Sequence, residues 1–453
     1  NTESAPKSTV EKVDWRRMSD PNALSLVPVF VTLAVALAAR NVLVGLFSGV
    51  LVGVAMVTDA SIVMFIPTLV RNHIVPEVAD TYNASVLVLL AFIGGFVKLI
   101  EYSGGGTAFA RLATRWVADK VRAQLGAWAA GIMIFFSDLG TPLIVGPVFQ
   151  PLTDQLRISR QKLAFILDST SSPVAILIPF IGWGVFIMSV IADAFSANGI
   201  AASEWSAFVA AIPFQLYAWL AIFMVPALTT LKFDYGPMAV AESANALSPV
   251  PAAQADENGR AGPILVWLPL VVLGATLFVT LANHGFPFEQ VAGSDFRAGL
   301  SAAYFLAAVT LVGLVVGFGI TPLARTFSQY VEGMTGMMPI AATLVLAWTL
   351  GAVSEALGTG AYVADVARDG IPGGMLPAVT FILAAIISFA TGSSWGTIII
   401  MMPLAIPAAI ATDAIMPVVI GSVLSGGLFG DHSLSLIHIS EPTRPTRASR
   451  MPS

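Results

Sequence analysis

Ser137-Asp138-Leu139-Gly140-Thr141-Pro142-Leu143-Ile144-Val145-Gly146-Pro147 and, 256 residues later, Ser393-Ser394-Trp395-Gly396-Thr397-Ile398-Ile399-Ile400-Met401-Met402-Pro403 carry the same spaced pattern. With Pro151 and Pro407 it extends to S-x-x-G-T-x5-P-x3-P in both places. At the same offset, without a gap, Leu90, Ala91, Gly95, Val97, Gly104 and Ser169 fall on Leu346, Ala347, Gly351, Val353, Gly360 and Ser425. An ungapped register held from residue 90 to residue 169 is the mark of an internal duplication.

The pattern also decides what kind of helix surrounds it. As one helix, residues 126–152 would be ~40 Å long at 1.5 Å per residue. Asp138 to Pro142 interrupt it in the middle and leave two arms of ~16–18 Å, about half of a ~30 Å hydrocarbon layer. A second interruption, Asp168-Ser169-Thr170-Ser171-Ser172-Pro173, breaks the apolar stretch 159–192.

Composition sets the solvent. Of the 453 residues 56% are hydrophobic and 11% charged, less than half the ~25% charge usual in soluble domains. The chain is read as an all-α polytopic membrane protein, because only helices and closed barrels satisfy their backbone in lipid. This excludes a soluble enzyme, a DNA-binding module and a single-anchor receptor. The absence of cysteine excludes disulfides, thiolate metal sites, iron–sulfur clusters and cysteine nucleophiles. The net charge of −5, with 22 Lys and Arg spread along the chain, makes no basic stripe for nucleic acid.

Apolar stretches predict spans at 24–39, 42–57, 84–100, 204–231, 263–284, 297–318 and 335–353. The expected organisation is a polar segment 1–23, a first transmembrane half 24–231 containing the repeat 84–192, and a cytoplasmic linker 232–262. A second half 263–432 contains the repeat 335–432, and a foreign tail follows at 433–453. That tail departs abruptly in composition after Asp431-His432 and resembles translated read-through of a sequencing adapter, so the chain reads as a C-terminally truncated protein. The start at Asn1, without a methionine or a signal-like apolar region, reads as a trimmed or fragmentary N-terminus.

Arg111, Arg115, Lys120 and Arg122 precede the first broken region, and Arg157, Arg160 and Lys162 follow it. Cations concentrate on the cytoplasmic side, so residues 126–152 are expected to enter from the cytoplasm, turn, and return. The equivalent hairpin around 377–411 is poor in cations and is expected to enter from outside. Two re-entrant hairpins of opposite entry make an inverted-topology repeat, an architecture of secondary transporters. Counting spans leaves the N-terminus outside despite Arg16 and Arg17, so either that end or the stretch 62–70 breaks the count.

The polar breaks hold the candidate chemistry. Thr141-Pro142 and Ser172-Pro173 each offer a hydroxyl N-cap before a proline at the first helical position. A half-helix N-terminus suits an anion, and the free carbonyls that end the preceding half-helix suit a cation. Ser137, Asp138, Gly140, Thr141, Asp168, Ser169 and Thr170 are the candidate site residues of the first half. Thr391, Ser393, Ser394, Thr397, Ser425 and Asp431 are those of the second. Asp138 and Asp168 are the candidate Na⁺ ligands, since a carboxylate at mid-membrane depth costs ~2.5–3.5 kcal/mol on insertion scales. Ser, Thr and Gly clusters also serve close helix packing, but four at repeat-related places favour a site. Lys98 and Glu101, one turn apart, read as a local pair or as snorkelling side chains. Glu355 is open to either role, and His73 and His284 read as loop residues.

Gly146-Pro-Val-Phe-Gln-Pro-Leu-Thr-Asp-Gln-Leu-Arg-Ile-Ser-Arg-Gln-Lys-Leu-Ala-Phe-Ile-Leu-Asp-Ser-Thr-Ser-Ser-Pro-Val174, Phe389-Ala-Thr-Gly-Ser-Ser-Trp-Gly-Thr397 and Gly430-Asp-His432 resemble the NhaC-type Na⁺/H⁺ antiporter family. The resemblance covers most of residues 24–432. It implies the fold of a larger ion-transporter superfamily, with inverted repeats, paired re-entrant hairpins and elevator-like motion. It also implies Na⁺ and/or H⁺ as coupling ions, no cofactor, and a multi-pass location in a bacterial or archaeal plasma membrane. The expected partners are the lipid bilayer and a small ion or organic solute, with a homodimer one option for assembly. One departure is clear. Where many members show a Phe-Asp-Asp-Tyr-like stretch, this chain reads Phe136-Ser137-Asp138-Leu139-Gly140-Thr141, with one carboxylate.

The function expected is secondary active transport, as Na⁺/H⁺ antiport or as Na⁺- or H⁺-coupled movement of a small organic acid or amino acid. A competing reading from another class is an intramembrane serine hydrolase using Ser393 or Ser394. It needs a general base within hydrogen-bonding distance, and only His432 is near a span. No G-x4-G-K-[ST] phosphate loop is present to support an ATP-driven pump.

Overall fold

The computed structural model describes residues 22–39, 41–58, 62–106, 108, 119–136, 138, 141–246, 262–282 and 293–439. Among them there are helices and no strand. Five of those helices are long and apolar enough to cross a membrane, six with one bent pair. The chain is an all-α polytopic membrane protein.

Helix starts follow local chemistry. Asp80 accepts from the N–H groups of Tyr82 and Asn83 at 2.8 and 3.1 Å and opens helix Thr81–Ser103. Asp119 opens Lys120–Met133 in the same way, Ser159 opens Arg160–Ser169, and Ser393 opens Ser394–Ala411. Ends fall where glycine takes the left-handed conformation, at Gly104 after Thr81–Ser103 and at Gly392 after Leu376–Thr391.

In the first half, Lys120–Met133 packs against Thr141–Val145 and Gly146–Gln155 across the Asp138 turn. In the second, Leu376–Thr391 and Ser394–Ala411 pack as a helical hairpin, joined through Gly392 and Ser393. The last helix, Met416–Ile439, lies along Leu376–Thr391 with glycines at the seam. A Cβ on Gly426 would strike the Phe381 carbonyl, and one on Gly430 the Ala385 carbonyl. This close approach sets the face on which Asp431 and His432 stand.

Several sequence expectations change. The stretch 204–231 is a helix pair bent by 45° at Gln215, so it is a further break and not one straight span. Residues 62–79 are helical in three consecutive pieces, which places His73 in a helix with 9% exposure and not in a loop. His284 lies outside the described residues. Lys98 pairs with Glu332 at 3.0 Å and not with Glu101. The beginning of the linker is the helix Gly236–Ala246, tied to the first half by the Lys162–Asp234 ion pair and by Glu242, which accepts from the Ser159 N–H at 2.7 Å. The last helix continues to Ile439, and the rest of the tail lies outside the described residues.

Candidate functional site

The two turns meet at one helix. Trp183, at the start of Gly182–Ala197, donates its indole N–H to Asp138 Oδ2 at 2.9 Å. Its ring lies 4.7 Å from that of Trp395 at 52°, and Phe186 lies 4.2 Å from Trp395 at 50°. Asp138, Ser393 and Trp395 line one cavity of about 740 Å³. Residues from the two repeat-related breaks therefore line a single space. Ser137 and Gly140 lie outside the described residues.

The second hairpin's tip is a working cap. Ser393 Oγ accepts from the Gly396 N–H at 3.1 Å, and the Thr397 hydroxyl donates back to the Ser393 carbonyl at 2.9 Å. Ser394 points elsewhere, donating to Asp431 Oδ2 at 3.1 Å. Thr391 is spent on its own helix, donating to the Ile387 carbonyl at 2.8 Å.

The first hairpin and the Asp168 break differ from the capping expected of them. The buried Thr141 hydroxyl donates to the Gly131 carbonyl at 3.5 Å, and Thr141–Val145 is a π-type turn. A Cβ on Gly131 would strike Thr170 Oγ1, so glycine there lets the two broken segments touch. At the Asp168 break Ser171, not Ser172, holds the N-cap position of the one-turn helix Ser172–Ala175, and no side-chain cap bond forms. The Ser171 hydroxyl instead donates to the Asp168 carbonyl at 2.9 Å, and that of Thr170 to Ile166 at 2.8 Å. These hydroxyls satisfy the carbonyls that end a broken helix. Ser169 is buried as the last residue of that helix.

Asp168 belongs to a mixed cluster with the last helix. Its Oδ2 stands 3.9 Å from His432 Nδ1, which is also 3.2 Å from the Tyr217 hydroxyl. The Tyr217 backbone N–H donates to Ser425 Oγ at 3.4 Å. Asp431 lies within electrostatic reach of both Asp168 and Asp138. It is thus near both of the aspartates that the sequence singles out. Among the described residues no three His, Asp or Glu side chains converge tightly enough to hold a metal ion. A Na⁺ at Asp138 or Asp168 would need hydroxyl and carbonyl oxygens to complete its shell.

Three participants, Trp183, Tyr217 and Gln215, escape the sequence reading. Trp183 follows a Pro179-Phe-Ile-Gly-Trp183 run whose breaks could have marked it. Tyr217 and Gln215 sit at the bend that the apolar pattern passes over. Gln215 is fully buried, with neither amide atom hydrogen-bonded, and His432 Nε2 is likewise buried without a partner. His432 faces Asp168 and Tyr217, while Ser394 is bonded to Asp431, so among the described residues His432 is not hydrogen-bonded to Ser394.

A second cavity of about 370 Å³ lies against the far arm of the second hairpin, lined by Asp193, Ser354, Glu355 and Thr359 among others. A Cβ on Gly351 would stand 2.6 Å from Asp193 Oδ2, so this glycine makes room for the carboxylate.

Comparison with known proteins adds the following. Residues 174–434 match the Na⁺/H⁺ antiporter family. Over 431 residues the chain is 29% identical to an uncharacterized protein of Haemophilus influenzae, covering 90% of this chain and 82% of that one. In structure it is similar to the YdaH transporter of Alcanivorax borkumensis, whose topology is described as unusual. The TM-score is 0.55 at 15% identity, over 92% of this chain and 90% of that one. It is also similar to Neisseria gonorrhoeae MtrF, described as illuminating a class of antimetabolite efflux pumps. Here the TM-score is 0.51 at 15% identity, over 94% and 88% of the two chains. At this identity the likeness is one of fold.

Proposed function

Because the chain belongs to the Na⁺/H⁺ antiporter family, we propose that it is a secondary active transporter in which Asp168 and Asp431 hold the coupling ion. It exchanges Na⁺ for H⁺, or moves a small organic solute at the expense of a Na⁺ or H⁺ gradient. One observation carries this reading: carboxylates from opposite halves of the duplication, Asp168 beside a helix break and Asp431 bonded to a hairpin tip, lie within electrostatic reach of each other. Two such charges in a water-poor setting repel unless a cation or a proton joins them. A site that is filled by either Na⁺ or H⁺ couples the two flows.

His432 and Tyr217 complete the setting. A buried imidazole 3.9 Å from Asp168 and 3.2 Å from a phenol offers a proton a second place to reside. The hairpin-bearing halves suit an elevator-like movement in which this cluster travels with the tips, in the plasma membrane of a bacterium or archaeon.

The test is flux in proteoliposomes under imposed Na⁺ and pH gradients, with a pH-sensitive dye inside. Addition of Na⁺ outside a pH-loaded vesicle should move protons in the opposite sense, or either gradient should drive uptake of a solute. Absence of any gradient-driven flux across a panel of inorganic and organic solutes would reject the reading.

A further inference from the structure

The cavity of about 370 Å³ beside the second hairpin shares no residue with the Asp168–Asp431 cluster. It lies among the end of helix Gly182–Ala197, the helices Met338–Ala356 and Thr359–Gly370, and the far arm Ser394–Ala411. Asp193 stands on the same helix as Trp183, the residue that holds Asp138, and about 15 Å further along it. The donors of the lining are engaged. Asn198 donates its amide to the Ala194 carbonyl at 2.8 Å, Thr359 donates its hydroxyl to the Ser25 carbonyl at 2.8 Å, and Arg368 pairs with Asp365 at 3.0 Å. What remains for a ligand is chiefly acceptor oxygen.

Two lining groups have no hydrogen-bond partner among the described residues, the Asp193 carboxylate and the Ser354 hydroxyl. Ser354 is only 8% exposed. A serine inside a helix ordinarily turns its hydroxyl back on the carbonyl four residues earlier, as Thr349 of the same helix does to Val345 at 2.8 Å. Ser354 does not. Gly351, one turn before it, leaves room for the carboxylate, since a Cβ there would stand 2.6 Å from Asp193 Oδ2. On the facing arm Pro403 and Pro407 lack an N–H, so the carbonyls of Ile399 and Pro403 lose their usual helical donor, and both residues line the cavity. Carboxylate, hydroxyl and carbonyl oxygens are the ligands of a hard cation.

A carboxylate without a partner in a membrane-embedded helix draws a cation or a proton. Asp193 is within electrostatic reach of Glu355 and Glu77, but among the described residues no three acidic or histidine side chains converge, which suits a single charge better than a double one. At about 30 Å³ per water, the volume admits an ion with part of its hydration shell.

We propose that this cavity is a second cation site, in which Asp193 and Ser354 hold a Na⁺ together with carbonyl oxygen of the far arm and retained water. It is separate from the coupling ion at Asp168 and Asp431 and does not depend on it.

The experiment is equilibrium binding of radioactive Na⁺ to the full chain in lipid nanodiscs, with the unfolding midpoint of each variant recorded. Asp431→Asn, expected to lose the coupling ion, should still bind about one Na⁺ per chain. Adding Asp193→Asn should abolish that binding, and adding Ser354→Ala should weaken it about tenfold at an unchanged midpoint. Ser354→Ala decides the matter if the Asp193→Asn chain does not fold. Unlabelled Na⁺ should displace the label better than Ca²⁺ or Mg²⁺ at the same concentration. Loss of all Na⁺ binding in Asp431→Asn defeats this inference and spares the coupling site. Binding that is undiminished in Asp431→Asn and vanishes in Asp193→Asn alone defeats the coupling site and spares this inference. Unchanged binding after Asp193→Asn or Ser354→Ala, or stronger displacement by Ca²⁺ or Mg²⁺, would overturn the proposal.

Discussion

Ser394 Oγ stands 3.1 Å from Asp431 Oδ2, so the tip of the second hairpin is hydrogen-bonded to the last helix across 37 residues of sequence. A hydrogen bond to a charged group is worth about 1.5–3 kcal/mol. Ser394→Ala should lower the thermal midpoint in detergent and weaken Na⁺ dependence by removing a donor that orients Asp431. A fluorophosphonate probe should leave the wild-type chain unlabelled, because the base that would activate Ser394 is turned to Tyr217 and Asp168. Labelling at Ser394, with transport untouched by Ser394→Ala, would turn the argument toward a hydrolase.

Two glycines three residues apart on that helix should behave in opposite ways. A Cβ at Gly430 would meet the Ala385 carbonyl, Phe389 N at 2.7 Å and Ser388 Cβ at 2.7 Å, with backbone among the obstacles. Gly430→Ala should therefore cost about 1–3 kcal/mol as the helices part, read as a lower unfolding midpoint. At Gly427 the first neighbours lie at 3.6–3.8 Å, which is ordinary contact. Gly427→Ala should be neutral or stabilising by up to about 1 kcal/mol through helix propensity. Equal effects at both positions would mean that the seam is not packed as described.

Much of this arrangement is legible in the chain and some is not, for physical reasons. The span 42–57 coincides with Val42–Val57, because Asn41 caps an unbroken apolar run. The tips at Asp138 and Ser393 are legible because the duplication repeats them without a gap. Lys98 defeats the local rule that pairs it with Glu101. Gly94 and Gly333 let helix Leu323–Gly336 approach so closely that a Cβ on Gly333 would strike the Gly94 carbonyl, and Glu332 arrives with it. That is tertiary information. The bend at Gln215 is hidden for a related reason. Pro213 and one amide hardly disturb an apolar window, and the bend shows only where the following segment packs on Ser425 and His432.

The helical passage through residues 62–79 bears on topology. Its 18 residues would measure ~27 Å, close to the hydrocarbon thickness. If it crosses, the parity that leaves the N-terminus outside reverses, and Arg16 and Arg17 return to the cation-rich side. The chain has no cysteine, so single cysteines report without background. Asn22→Cys and Ser243→Cys should be labelled by a membrane-impermeant maleimide from the same face, and Asp369→Cys from the other. Labelling of Asn22→Cys with Asp369→Cys would show that 62–79 does not cross.

The sharpest test concerns the aspartates that the two halves bring together. Asp168 and Asp431 lie within electrostatic reach of one another, and each is replaceable by an amide of the same shape that can neither titrate nor balance a cation. If a single ion or proton is shared between them, either substitution abolishes the exchange, and the double variant loses no more than the single ones, as for groups that act as a unit. Asp168→Asn and Asp431→Asn should therefore each insert and fold, with unfolding midpoints near or above the parent's, since a repelling charge has been removed. Each should lose Na⁺-dependent proton movement in proteoliposomes by about tenfold or more, the scale on which changes at an ion's supporting ligands act. His432→Gln should change the pH dependence of whatever flux remains in the parent without abolishing Na⁺ dependence, because the imidazole faces Asp168 but is not one of the two anions. Independent losses that multiply in the double variant would mean two separate sites, and unchanged coupling in both single variants would leave the pair a packing role.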